Sequence, residues 1–148
     1  MEKTIYMLSK LEKFFQRSLG TWTSHRSYFY ANKKEVINSI TNFEWSQNKE
    51  QYCVSWDNKE QNSQGSISFV LEGDSCIQRD KGYFTNNNTS SKVLYVSESK
   101  LKTLTIYNGM SFVETIEFIS DDVRVRRTIA TKEKTNKVFL IGNYIEYR

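Results

Sequence analysis

A chain of 148 residues that is 38% hydrophobic and 14% aromatic, with its rings spread over the whole length, is long enough to bury one core, which excludes a disordered polypeptide. The balance of 21 basic against 17 acidic residues gives +4, but the Lys and Arg are scattered among Glu and Asp, so the charge forms no stripe for nucleic acid. No apolar run approaches membrane-spanning length and no linker-like stretch divides the chain, so residues 1–148 are read as a single domain with no membrane partner.

Met1 to Lys10 alternates charged and apolar residues and lacks the apolar stretch and small-residue cleavage site of a secretory signal, so a cytoplasmic location is expected. Ser9-Lys10-Leu11-Glu12 has the form of a capping box. It opens an amphipathic helix with Leu8, Leu11, Phe14, Phe15 and Leu19 on its stripe and Gly20 as its stop. From Thr21 onward the period is two. Strands are predicted at 21–31, 34–45, 51–57, 65–72, 76–84, 92–97, 101–107, 111–119, 123–132 and 137–147. Asn108-Gly109 reads as a two-residue hairpin turn, 57–65 as a polar loop, and "TNNNTSS" at 85–91 as a low-complexity loop. Short connections imply antiparallel neighbours, and closing about ten of them removes the exposed edges. The predicted fold is therefore all-β, an up-and-down antiparallel barrel of about ten strands with one N-terminal amphipathic α-helix. A barrel of that size holds packed side chains or one small ligand.

The segment "SDDVRVRRTIA" at 120–130 puts Arg124, Arg126 and Thr128 on one face and Val123, Val125 and Ile129 on the other. In the preceding strand Phe112, Glu114, Ile116 and Phe118 share a face. If the turn lies at Ser120-Asp121-Asp122, then Phe118 faces Arg124, Ile116 faces Arg126, Glu114 faces Thr128, and Glu114 is diagonal to Arg126. Two readings stand. The arginine face is either the solvent side, or an interior anion site in which guanidinium forks meet carboxylates. The apolar neighbours on the partner strand argue against the solvent side.

Trp22, Ser24, Arg26, Tyr28 and Tyr30 share a face of "GTWTSHRSYFY". Gly20 and Trp22 give the Gly-x-Trp start of lipocalin-type barrels, so Trp22 is either an end plug or a ligand contact, and Arg26 adds a cation to the same interior. Tyr52, Val54 and Trp56 form another row, with Tyr83, Phe84, Tyr107 and Tyr144 as further candidate lining rings. With His25 as the single histidine, and with no Cys-x-x-Cys, phosphate-binding loop or nucleophile elbow, neither a metal nor a prosthetic group is expected. Cys53 and Cys76 are read as small, buried and unbridged. A carrier barrel for a carboxylated apolar molecule such as a fatty acid fits these features too.

Two segments, "FFQRSLGTWTSHRS" at 14–27 and "ETIEFISDDVRVRRT" at 114–128, resemble the S-type phycobiliprotein (bilin) lyases, the CpcS/CpeS family. The chain departs from the family pattern in carrying Thr128 where Ser is usual, the extra Arg127, and its ending at 144–148. The resemblance implies a lipocalin-like or fatty-acid-binding-protein-like barrel that binds an open-chain tetrapyrrole non-covalently. It implies attachment of that pigment to a cysteine of a phycobiliprotein subunit through a thioether, with phycoerythrobilin or a related bilin as substrate and the phycoerythrin β chain as acceptor. Carried over by position, Glu114 and Arg124 take catalytic roles, and Arg126, Thr128, Arg26, Trp22 and Trp56 bind the bilin. The expected setting is a cyanobacterial-type cytosol or plastid stroma, with the protein a monomer or homodimer.

Overall fold

The computed structural model describes residues 7–58, 63–81 and 87–148. Helix α1 (Lys10–Ser18) is followed by ten strands: β1 (Gly20–Tyr30), β2 (Glu35–Asn48), β3 (Gln51–Asn58), β4 (Ser63–Glu72), β5 (Cys76–Arg79), β6 (Thr89–Val96), β7 (Lys100–Tyr107), β8 (Met110–Ser120), β9 (Val123–Lys132) and β10 (Lys137–Tyr147). They close into an antiparallel barrel in the order β1-β10-β9-β8-β7-β6-β5-β4-β3-β2, in agreement with the predicted fold class. Asn108 and Gly109 both have positive φ, the conformation that a two-residue turn needs to match strand twist.

The capping box forms as expected: Glu12 N donates to Ser9 Oγ at 3.1 Å and Ser9 N donates to Glu12 Oε1 at 3.4 Å. The helix ends at Ser18, with Leu19 as its C-cap, so Gly20 already belongs to β1. Leu11, Phe14, Phe15 and Ser18 form its buried face. Phe15 packs against Trp45, Tyr52 and Phe69, and Phe14 packs against Phe118, which closes one end of the barrel. A second apolar cluster, built on Phe112, Ala130 and Leu140, fills the other end. Phe112 and Phe118 are six residues apart on β8, a separation of about 20 Å at strand rise, so the two clusters leave a polar middle between them.

Inward layers follow from the register. Ser24, Glu146, Arg124 and Phe118 form one row across β1, β10, β9 and β8. Arg26, Tyr144, Arg126 and Ile116 form the next, then Tyr28, Gly142, Thr128 and Glu114, then Tyr30, Leu140, Ala130 and Phe112. The pairs Phe118 with Arg124, Ile116 with Arg126 and Glu114 with Thr128 are those read from the sequence. The turn itself is only Asp121-Asp122, and an irregularity between Phe118 and Ser120 restores the phase.

Three expectations are corrected. Asn58, Ser63 and Gln64 are strand residues, not loop, because Asn58 pairs with Ser63 and Asp57 with Gln64. Thr89, Ser90 and Ser91 open β6, where Thr89 and Ser91 turn inward and the Ser91 and Thr105 hydroxyls share a 2.6 Å hydrogen bond. Cys53 and Cys76 are unbridged as expected but half-exposed, since they alternate with inward Tyr52 and Ile77. β5 stops at Arg79. Tyr83 and Phe84 lie outside the described residues.

Candidate functional site

A cavity of about 550 Å³ occupies the polar middle, a volume typical of small-molecule sites. Its walls include Trp56, Phe69, Ile77 and Leu101 together with Arg26, Arg79, Lys81, Arg126, Glu114 and Tyr144. A larger depression of about 1100 Å³ lies on the outer wall, where side chains such as His25, Ile40, Val125 and Ile145 line it. His25 is exposed and stacked on Tyr147, as its outward parity requires. The inner cavity is the candidate site, because the charged, buried layers converge there.

Glu114 is the cavity's carboxylate. Arg126 Nη2 donates to its Oε2 at 3.1 Å, and Thr128 Oγ1 donates to the same oxygen at 3.0 Å. Burial pushes the Glu114 carboxyl up, but the charges of Arg126 and Arg79 and these two hydrogen bonds outweigh it and hold it below the usual range. Glu114 is therefore an anion at neutral pH. Tyr144 Oη donates to Thr128 Oγ1 at 3.5 Å, and the phenol is raised well above the tyrosine range, chiefly by burial and then by neighbouring Tyr28. Its ring lies over Gly142, where any Cβ would collide with the phenol oxygen, so the small residue is what allows the ring to lie flat. The Arg26 and Arg126 guanidiniums stand 5.6 and 5.1 Å from that ring, and Arg26 Nε donates to Ser24 Oγ at 3.1 Å. Trp56 meets the cavity with its ring against Gly65, directly opposite on β4. Trp45 also lines the cavity, and its buried indole N–H has no hydrogen-bond partner among the described residues.

Arg124 and Trp22 sit elsewhere. The Arg124 side chain is 0% exposed and is not part of the cavity lining. Its Nε donates to Glu146 Oε1 at 2.8 Å and its Nη1 to Ser18 Oγ at 3.0 Å. Its guanidinium carbon lies 4.5 Å from the centre of the Trp22 ring. Burial pulls the guanidinium down to about 10 while Glu146 opposes that, so it stays protonated at neutral pH. Trp22 is sandwiched between Arg124 and Arg148, whose guanidinium carbon is 4.4 Å from the ring. Its Nε1 donates to Ser18 O at 2.8 Å. Trp22 is buried in the end-plug position and lies outside the cavity lining. Arg124 meets the Glu146 carboxylate, one layer of the ladder from the cavity, in the floor under α1.

Glu146 is one of the residues that sequence reasoning missed, with Arg79 and Lys81 of the cavity lining. The Glu146 side chain is 0% exposed and accepts from Arg124 through Oε1 and from Arg126 Nη1, at 3.4 Å, through Oε2. The network thus runs from Ser18 on α1 through Arg124, Glu146 and Arg126 to Glu114. Parity along β10, where Leu140, Gly142 and Tyr144 also turn inward, was the available signal.

The CpeS-like protein family model matches residues 36–148, so Glu114 to Thr128 fall inside the matched span and the 14–27 segment before it. Two curated relatives are each 27% identical. One is CpcV of Picosynechococcus sp., named as a candidate chromophore lyase, which is matched over 91% of this chain and 79% of its own length. The other is CpcS 2 of Nostoc sp., named as a candidate phycocyanobilin lyase, with 95% and 91% covered. Among solved structures, the S-type phycobiliprotein lyase CpeS from Guillardia theta superposes with a TM-score of 0.73 at 18% identity, covering 96% of this chain and 93% of that one, a likeness of fold. With three quarters of its length matched, Arg79, Glu114 and Arg126 included, the chain belongs to the CpeS-like family.

Proposed function

We propose that the barrel binds an open-chain tetrapyrrole and, as a lyase, delivers it to a cysteine of a phycobiliprotein subunit, forming a thioether. The observation that carries this reading is an ionised Glu114 set among cations inside a cavity walled by aromatic rings. Arg126 and Arg26, on either side of Tyr144, offer a bidentate seat for a propionate. Glu114, held as an anion, accepts from pyrrole N–H groups and favours the protonated, electron-poor form of the conjugated system. The acceptor's thiol adds across the exocyclic ethylidene double bond. Sulfur bonds to the exocyclic carbon, the π pair moves into the ring system, and a proton is taken up at the ring carbon, so no oxidant or reductant enters. The nucleophile comes with the acceptor, and the barrel supplies orientation and a dry, charged wall. Arg124 acts here as a positioning residue, through Glu146, on Arg126.

The relative named for phycocyanobilin makes that pigment one to compare; phycoerythrobilin, with the phycoerythrin β chain as acceptor, is the other, as the sequence resemblance implies. The test incubates the protein with each bilin and an apo-phycobiliprotein subunit, then measures pigment retained on the subunit after denaturation. Wild type is expected to transfer, while Glu114→Gln binds pigment and transfers at least tenfold more slowly. Oleate binding without any bilin transfer would replace this reading with the fatty-acid carrier.

A further inference from the structure

Arg124 is paired with Glu146 in the floor and lies outside the cavity lining, so of the two β9 arginines Arg126 is the one that reaches the cavity. Among the described residues, four cationic side chains and one carboxylate line the cavity: Arg26, Arg79, Lys81 and Arg126 against Glu114. Arg26 and Arg126 share one row with Tyr144 between them. Arg79 stands on β5, four strands from β9 one way round the barrel and four from β1 the other, so it lies across the cavity from that row. Ile77, Arg79 and Lys81 alternate into the interior from one short segment. Its end is clasped to β4 on both sides: Asp80 N donates to Ser68 O at 3.1 Å and Ser68 N donates to Asp80 Oδ1 at 2.9 Å. The Arg79 guanidinium carbon lies 5.4 Å from the centre of the Phe69 ring, opposite it in register. Its charge also acts on Glu114, which places that carboxylate in the field between the two cationic walls.

We propose that Arg79, with Lys81 beside it, receives the second carboxylate of the tetrapyrrole, the first being held by Arg26 and Arg126; this rests on the bilin reading above. The pigment is then stretched between two walls with its nitrogens over Glu114, and a dicarboxylate is preferred over a monocarboxylate. An excess of cations over carboxylates in an enclosed, low-dielectric site favours a guest of charge −2 over one of charge −1. Trp56 and Phe69, on the strands that carry no cation into the cavity, supply ring surface between the two anchors.

The test titrates phycocyanobilin and its dimethyl ester into wild type, Arg79→Leu and Arg79→Lys, following visible absorption. Leucine keeps apolar cover over Phe69, and the ester titration reports whether each variant retains its cavity. Arg79→Leu is expected to weaken the diacid by about tenfold to a hundredfold, as for one lost charge-assisted contact, and to change ester affinity by less than about twofold. Arg79→Lys is expected to recover part of the diacid preference. Equal loss for diacid and ester, or no loss for either, would overturn the assignment while leaving the bilin site in place. Absence of diacid binding to the wild-type protein would remove the bilin reading and the assignment with it.

Discussion

Breaking the ion pair in the barrel floor tests how the site is held. Arg124 and Glu146 are both 0% exposed and 2.8 Å apart, so neither charge can fall back on water when its partner goes. Glu146→Leu strips Arg124 of its counter-ion, leaving it one hydroxyl acceptor, Ser18 Oγ, and also takes a partner from Arg126. The expected cost is about 3–5 kcal/mol, the range for an uncompensated buried charge. Arg124→Met is milder, about 3 kcal/mol, because Glu146 keeps Arg126 at 3.4 Å and methionine fills space among the surrounding rings. With both changed, no orphan charge remains in the floor. The double variant should be more stable than Glu146→Leu alone, a coupling of at least about 3 kcal/mol. Urea unfolding followed by tryptophan fluorescence measures all four proteins, since Trp22 and Trp45 lie against this network. Additivity within about 0.5 kcal/mol would refute the coupling and with it the positioning role given to Glu146.

Acid unfolding should single out Glu114. A carboxyl held low in the folded state contributes stability that is present above its ordinary value of 4.5 and is lost as pH falls through the lower folded value, so Glu114→Gln should flatten the stability curve in that window. Gly142→Ala should drive the Tyr144 ring off its seat, costing about 1–3 kcal/mol and disturbing both neighbouring guanidiniums, which a melting curve paired with a bilin titration would register. Ser9→Ala removes a formed capping box and should cost about 1 kcal/mol in urea unfolding, with bilin affinity unchanged.

Strand period and turn chemistry made the barrel legible, down to the pairing of Glu114 with Thr128. A side-chain period of two permits only two phases, and a buried apolar set selects one of them. What parity cannot say is how deep along a strand the cavity lies. Arg124 and Arg126 look equivalent in sequence, yet a layer apart one is packed among rings under α1 and the other reaches the cavity. Glu146 escaped notice because its partners are 22 and 20 residues away and come together only through the β9 and β10 register. Thr89 and Ser91 were hidden by a polar run, since hydroxyl-rich strands lack the apolar alternation that marks a core face. Arg79 sits at the end of a four-residue strand, too short to carry a pattern of its own.

The central claim, that the inner cavity seats a tetrapyrrole against Glu114 and its surrounding cations, is tested most directly by a single absorption titration of the purified protein with phycocyanobilin or phycoerythrobilin. A saturable one-to-one change, with the long-wavelength band sharpened and moved to the red, is the predicted result. A spectrum that stays that of the free pigment at every protein concentration would contradict it.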